Sequence, residues 1–243
     1  GYAMRACSYD AAGRLLTEAF FGAEGQPMVT SAGYARKEQT WNEQGFLTSE
    51  AWFGADDRYI LQDGRYSYIQ YVRDASGNCV EQGWYVFEGQ PTLLADGYNR
   101  ILREFDAAGN CVKETWYFND GIVMIEGGYA AATYTYDARG RLTQESYYDE
   151  SMSRVTVKKG YSAIGYVYDN AGNTLQVRYL DEQDKLTRVP EGFSVWQREY
   201  DANNHVILEQ YLAYLEEMRR MDLEIASEFI TMASQLMLIK TKM

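Results

Sequence analysis

Four columns of residues recur through this chain at one spacing, and that periodicity constrains the fold more than any other feature. The first column is an aromatic next to, or one residue beyond, a glycine: Tyr2, Tyr34, Tyr66, Tyr98, Tyr129, Tyr161 and Phe193. The second is Asp10, Asn42, Asp74, Asp106, Asp137, Asp169 and Asp201. Three residues after each stands Gly13, Gly45, Gly77, Gly109, Gly140, Gly172 and, at the last position, Asn204. The fourth is Phe20, Trp52, Trp84, Trp116, Tyr147, Tyr179 and Tyr211. Every step is 32 residues except one of 31, and the lost residue falls between Trp116 and Tyr129. Columns that keep one register describe a tandem array, here six complete units and a half.

Helical repeats of similar length are excluded by residue type. These units are rich in Tyr, Val, Thr and Trp and are punctuated by Asp-x-x-Gly, which is strand-and-turn chemistry. In the unit beginning at Tyr129, Ala130, Ala132, Tyr134 and Tyr136 share one side of an extended strand. Asp137-Ala138-Arg139-Gly140 makes the turn, a second strand runs from Leu142 to Tyr148, and Arg154 to Val157 forms a short return segment. One hairpin is marginal in water, so the units must stack, with Phe20, Trp52, Trp84 and Trp116 as an aromatic ladder. The predicted fold is mainly β: an elongated stack of antiparallel β-hairpin repeats over 1–208, with a short α-helical tail over 209–243.

Composition narrows the function. With 23 Lys+Arg against 35 Asp+Glu the net charge is −12, which argues against nucleic acid as a partner. One histidine and three cysteines argue against His-rich metal sites, zinc ribbons and a dense disulfide framework. No cofactor or metal is expected. The chain contains no run of 18 uncharged apolar residues, so no membrane insertion is expected. It opens at a repeat boundary, Gly1-Tyr2, which predicts a segment cut from a longer array.

The strings Tyr9-Asp10-Ala11-Ala12-Gly13-Arg14-Leu15 and Tyr136-Asp137-Ala138-Arg139-Gly140-Arg141-Leu142 resemble the YD (Rhs-type) repeats of bacterial surface and toxin proteins. The resemblance covers about 1–208, with a longer period than the usual YD unit. It implies β-sheet scaffolds that contact glycans or enclose cargo, and a cell-surface or extracellular setting.

The last residues follow another pattern. After Gly192 there is no glycine, and Leu212, Leu215 and Met218, then Ile225, Ala226, Phe229, Ile230, Ala233, Leu236 and Met237, recur at helical spacing. Asp222 is a candidate N-cap for the second helix. The stretch from Ile207 to Met243, with Asp222-Leu223-Glu224-Ile225-Ala226-Ser227-Glu228-Phe229 at its centre, resembles segregation and condensation protein A, the bacterial kleisin family. That resemblance implies an alternative function, an adaptor of the chromosome-segregating SMC protein in the cytoplasm. The family's upstream helix is replaced here by β repeats. The candidate partner-binding residues are Leu223, Ala226, Phe229, Ile230, Ala233 and Met237, on a helix that would pack on the last unit or self-associate.

The candidate ligand-binding row is Phe20, Trp52, Trp84, Trp116, Tyr147 and Tyr179, whose rings could stack on the faces of a glycan; the competing reading makes them core. Adjacent pairs such as Trp52/Phe53 and Trp84/Tyr85 must point to opposite sides, so if one side is core the other displays rings. The Asp-x-x-Gly column is expected to be turn rather than calcium site, since most turns offer one Asp with Ala-Ala between. Cys79 and Cys111 share a column and are read as small apolar residues in preference to a disulfide. Asp56/Asp57 and Asp149/Glu150 lack a positioned partner for acid–base work, and His205 is expected to be solvated. The function expected is a non-catalytic binding or scaffold module, with a glycan or a surface protein as partner.

Overall fold

The structure, a computed structural model, describes residues 1–212. Two compact units divide the chain after Val155. The first holds β1 (Met4–Tyr9), β2 (Leu15–Phe21), β3 (Arg36–Trp41), β4 (Leu47–Phe53), β5 (Tyr68–Arg73), β6 (Cys79–Phe87), β7 (Gln90–Pro91), β8 (Arg100–Phe105), β9 (Cys111–Phe118), β10 (Gly121–Ile122), β11 (Ala131–Tyr136) and β12 (Leu142–Tyr148). Its strands hydrogen-bond in the order β1-β2-β3-β4-β5-β6-β8-β9-β11-β12, with β7 on β6 and β10 on β9. The second unit holds β13 (Ala163–Tyr168), β14 (Thr174–Leu180), β15 (Val195–Tyr200) and β16 (Val206–Leu212), paired in chain order.

The predicted fold class needs correction. All sixteen strands described are antiparallel to their neighbours, and within each unit the hairpins join edge to edge in a sheet. No described residue is helical. The tail expected from 209 begins instead inside β16, where Glu209, Gln210 and Tyr211 pair with Arg198, Gln197 and Trp196. The ladder bonds offered by β15 outweigh a helical spacing that only Leu212 and later residues carry. Residues 213–243, with Leu223, Ala226, Phe229, Ile230, Ala233 and Met237, lie outside the described residues.

Each hairpin is built the same way. Asp10 Oδ1 accepts the backbone N–H groups of Ala12 and Arg14 at 2.9 Å, and Arg14 Nε donates to Oδ2 at 2.5 Å. Asp74 and Asp106 repeat this with Asn78 and Asn110 as the side-chain donors. The glycine three residues on takes positive φ; at Gly77, φ is +90° and a Cβ would lie 2.5 Å from the Phe46 ring, so any side chain there is strained and must displace that ring. Directly after the turn one residue bulges: Ser8 pairs with Thr17 but Tyr9 with Leu15, and the same slip recurs in each hairpin through Tyr200 and Val206.

The residue before the aspartate fastens its hairpin to the one before. Trp41 Nε1 donates to Leu15 O at 2.8 Å, Arg73 Nε to Leu47 O at 3.4 Å, Tyr136 Oη to Cys111 O at 2.7 Å and Tyr200 Oη to Thr174 O at 3.2 Å. Each acceptor is the first residue of the preceding hairpin's second strand, beside its bulge. Unlike side chains thus make one bond, and Phe105 occupies the column without a donor.

Between hairpins the chain returns over its own second strand, with Met28 N–H bonded to Phe20 O and Val123 N–H to Trp116 O. The 31-residue spacing is explained here. In the preceding unit Tyr85 pairs with Pro91 and Phe87 with Gln90, leaving Val86 as a bulge. Tyr117 pairs with Ile122 and Phe118 with Gly121, with no bulge residue. The deletion removes the counterpart of Val86 and leaves every strand in register.

Candidate functional site

The register sets the candidate rings of the first unit, Phe20 to Tyr147, on one face. Phe20 lies opposite Arg5, Trp52 opposite Lys37, Trp84 opposite Ile69, Trp116 opposite Ile101, Tyr147 opposite Ala132 and Tyr179 opposite Ile164. The rings interleave with the first aromatic column. Phe20 contacts Tyr2 at 4.7 Å and Tyr34 at 5.8 Å between centroids, and Tyr129 sits between Trp116 (5.2 Å) and Tyr147 (4.7 Å). In the second unit Tyr179 lies between Tyr161 (5.2 Å) and Phe193 (5.8 Å). Tilted and edge-on pairs of this kind are worth roughly 0.5–1.5 kcal/mol each beyond area burial. Phe20, Trp52, Trp116 and Tyr147 are 7–9% exposed, whereas Trp84 and Tyr179 are half-buried.

Two residues before each ring, on the same face, a carboxylate column runs beneath the ladder: Glu18, Glu50, Glu114, Glu145 and Glu209, with Gln82 and Val177 in the remaining places. Glu18 takes Arg5 Nε at 2.5 Å and the Tyr34 hydroxyl at 3.1 Å. Glu50 pairs with Lys37 and accepts from Tyr71 at 2.8 Å; Glu114 pairs with Arg103 at 2.7 Å and accepts from Tyr134 at 2.9 Å. Burial pushes the Glu50 carboxyl up, but Lys37, Tyr71 and Gln39 together hold it below its ordinary value. Burial, then the Glu18 carboxylate, raises the Tyr34 hydroxyl to about 12. Burial and the facing glutamates likewise raise Tyr71 and Tyr134. Periodicity alone could have revealed this column, because the glutamates recur at the same 32- and 31-residue intervals.

A second overlooked column is small. Ala35, Ser67, Ala130, Ser162 and Ser194 are 0–1% exposed, directly after the first aromatic column. Asn99 is the large member, and its Oδ1 accepts the Asn119 N–H at 2.8 Å in the shortened unit.

The other face carries Phe21, Phe53, Tyr85, Tyr117 and Tyr148, one residue after each ladder ring. Arg36 lies over Phe53 at 3.9 Å, and Phe53 stacks on Tyr59 at 4.8 Å, which meets Phe87 at 6.2 Å.

The remaining candidates are placed singly. The turn aspartates spend Oδ1 on their own backbone, and among the described residues no cluster of three His, Cys, Asp or Glu is arranged to hold a metal. Cys79 and Cys111 are half-buried free thiols, and burial raises the Cys111 thiol pKa. Asp57 pairs with Arg36, Asp56 lies 3.9 Å from Arg58, and Asp149 caps the N–H groups of Ser151 and Ser153. His205 is exposed, 3.1 Å from Asp201.

No family model matches this chain, and no curated protein matches it. Among solved structures it is similar to the crystal structure of TcdB2-TccC3-TEV, with TM-score 0.37 and 15% identity over 87% of this chain and 12% of that one. It is also similar to TcdB2-TccC3 without its hypervariable C-terminal region (TM-score 0.33, 16% identity, 85% and 12% covered). The Photorhabdus luminescens Tc holotoxin pore, in a TccC3 mutant form, matches with TM-score 0.33 and 13% identity over the same shares. The chain spans about an eighth of the length of these chains.

Proposed function

We propose that the chain is a non-enzymatic scaffold and binding module, at a bacterial cell surface, whose exposed rows engage partners. The repetition of one local geometry supports this reading: the same bulge and turn recur from hairpin to hairpin. Repetition spreads each residue type along a row, whereas catalysis requires unlike groups converging on one reacting centre. Excising residues 66–97 and joining Arg65 to Tyr98 removes one whole period. The shortened chain should keep its β-rich circular dichroism and unfold cooperatively; failure to fold would show that the units are not interchangeable and would remove the scaffold reading.

A glycan is the ligand class favoured for the row Phe20, Trp52, Trp84, Trp116, Tyr147 and Tyr179, with Trp84 and Tyr179 offering the most accessible ring faces. Binding on a glycan array that survives Trp84→Ala and Tyr179→Ala would reject that row as the site. The kleisin-like adaptor reading draws on residues 207–243 alone, and co-purification with an SMC head is its test.

A further inference from the structure

Apart from Val72 in β5 and the N-terminal edge, the exposed large apolar side chains of the first unit gather in the return segments. Val29, Leu61, Leu93 and Met124 are 41, 42, 53 and 37% exposed and occupy one column at intervals of 32, 32 and 31 residues. Tyr59 and Phe87, 41 and 46% exposed, lie 6.2 Å apart. Tyr59 is bridged to Phe53 and shares its face, and Leu61 returns to that face two residues later. Successive units are two strands apart, so the column advances about 9.5 Å per step. A helix advances about 10.5 Å in seven residues.

Charge identifies the occupant. The return segments 22–34, 54–66, 86–98 and 118–128 carry eight exposed carboxylates against two arginines, and although Arg36 and Arg100 from β3 and β8 pair with Asp57 and Asp120, the carboxylates remain in excess. An apolar stripe with an acidic border is complementary to a cationic amphipathic helix and repels anionic surfaces. We propose that this stripe docks a basic amphipathic helix of a partner protein, laid across the strands with one large apolar side chain per unit. The inference rests on the scaffold reading and gives it a partner class and a surface.

The test uses the whole chain and a labelled peptide of about 22 residues, long enough to set apolar residues at i, i+7, i+14 and i+21. One version carries Leu on that stripe and Lys elsewhere; its control replaces Lys by Glu. Fluorescence anisotropy should show saturable binding of the Lys peptide, at least about tenfold tighter than the Glu peptide and weakened by added salt. Leu61→Ser and Leu93→Ser, at exposed positions that leave the fold intact by circular dichroism, should each weaken it by about five- to tenfold. Absence of saturable binding, equal binding of both peptides, or indifference to both serine variants would overturn the proposal. So would zwitterionic vesicles competing through the same two leucines, which would make the stripe a membrane contact. The excised chain folds or fails independently of these results, so the scaffold reading is judged separately.

Discussion

Replacing Tyr136 by phenylalanine removes one oxygen atom and leaves the ring. That oxygen donates to Cys111 O at 2.7 Å, the favoured length for an O–H···O bond, and ties one hairpin to the first residue of its neighbour's second strand. A net bond of this kind contributes about 0.5–1.5 kcal/mol. Cys111 is half-buried, so water reaches it only in part and the loss should fall near the middle of that range, about 1 kcal/mol. Phe105 holds the same column without a donor, so Phe105→Tyr should gain a comparable amount by reaching the Cys79 carbonyl. Urea denaturation reads both: the midpoint should move down for Tyr136→Phe and up for Phe105→Tyr, with the m-value unchanged. If Tyr136→Phe matches the parent while Tyr136→Ala destabilises, the column serves packing alone and the clamp reasoning is refuted.

Four further outcomes follow from the same geometry. The Tyr34, Tyr71 and Tyr134 hydroxyls have folded pKa values above their ordinary 10.0, through burial first and glutamate neighbours second, so the folded state holds these protons more tightly. Stability should be complete below about pH 10 and fall as pH rises further, and Tyr71→Phe with Tyr134→Phe should flatten the decline in denaturation midpoint. Asp74 and Asp106 are held below the ordinary carboxyl value by the Asn78 and Asn110 side chains first, and Asp10 and Asp137 by the backbone N–H four residues on. Their contribution is present above about pH 4 and lost below it, so hydrogen exchange corrected for intrinsic rate should show Gly109 losing protection on acidification while Gly45, in the Asn42 turn, does not. Ala130→Leu forces bulk into a site with 0% exposure and should cost about 1–3 kcal/mol in thermal or urea unfolding. Asn99→Ser should cost about 1 kcal/mol by stranding the Asn119 N–H, and should loosen exchange at that amide.

The periodic skeleton was legible because aspartate, glycine and ring each answer a local demand of the hairpin. Asp-x-x-Gly specifies its turn without help from elsewhere, and Asp106 with Gly109 behaves as the spacing predicts. Spacing alone puts the lost residue between Trp116 and Tyr129, although its identity as a bulge residue needs the partner strand. The inter-hairpin clamp was hidden because Trp41, Arg73 and Tyr136 look unrelated in sequence and share only a donor at one reach. One column alone predicts rings in single file, whereas Phe20 packs on Tyr2 and Tyr34, since return segments bring the first column between successive rungs. The end of the array is not legible at Val206–Leu212, where a short apolar stretch fits either period and pairing with β15 decides the outcome.

The tip at Asn119-Asp120 shows where this chain tolerates change in length. The residue missing beside it, between Tyr117 and Phe118, leaves Arg100 opposite Tyr117 and Ala131 opposite Thr115, because the return strand restarts the count before the next hairpin begins. A triplet gained or lost at or beyond that point is silent to the rest of the array, while the same event earlier in β9, before Trp116, would turn Trp116 outward and its neighbours inward. Codon-level indels should therefore collect at these tips, and a fluorophore or epitope grafted at Asp120, whose side chain stands fully in solvent, should report on the array without disturbing it.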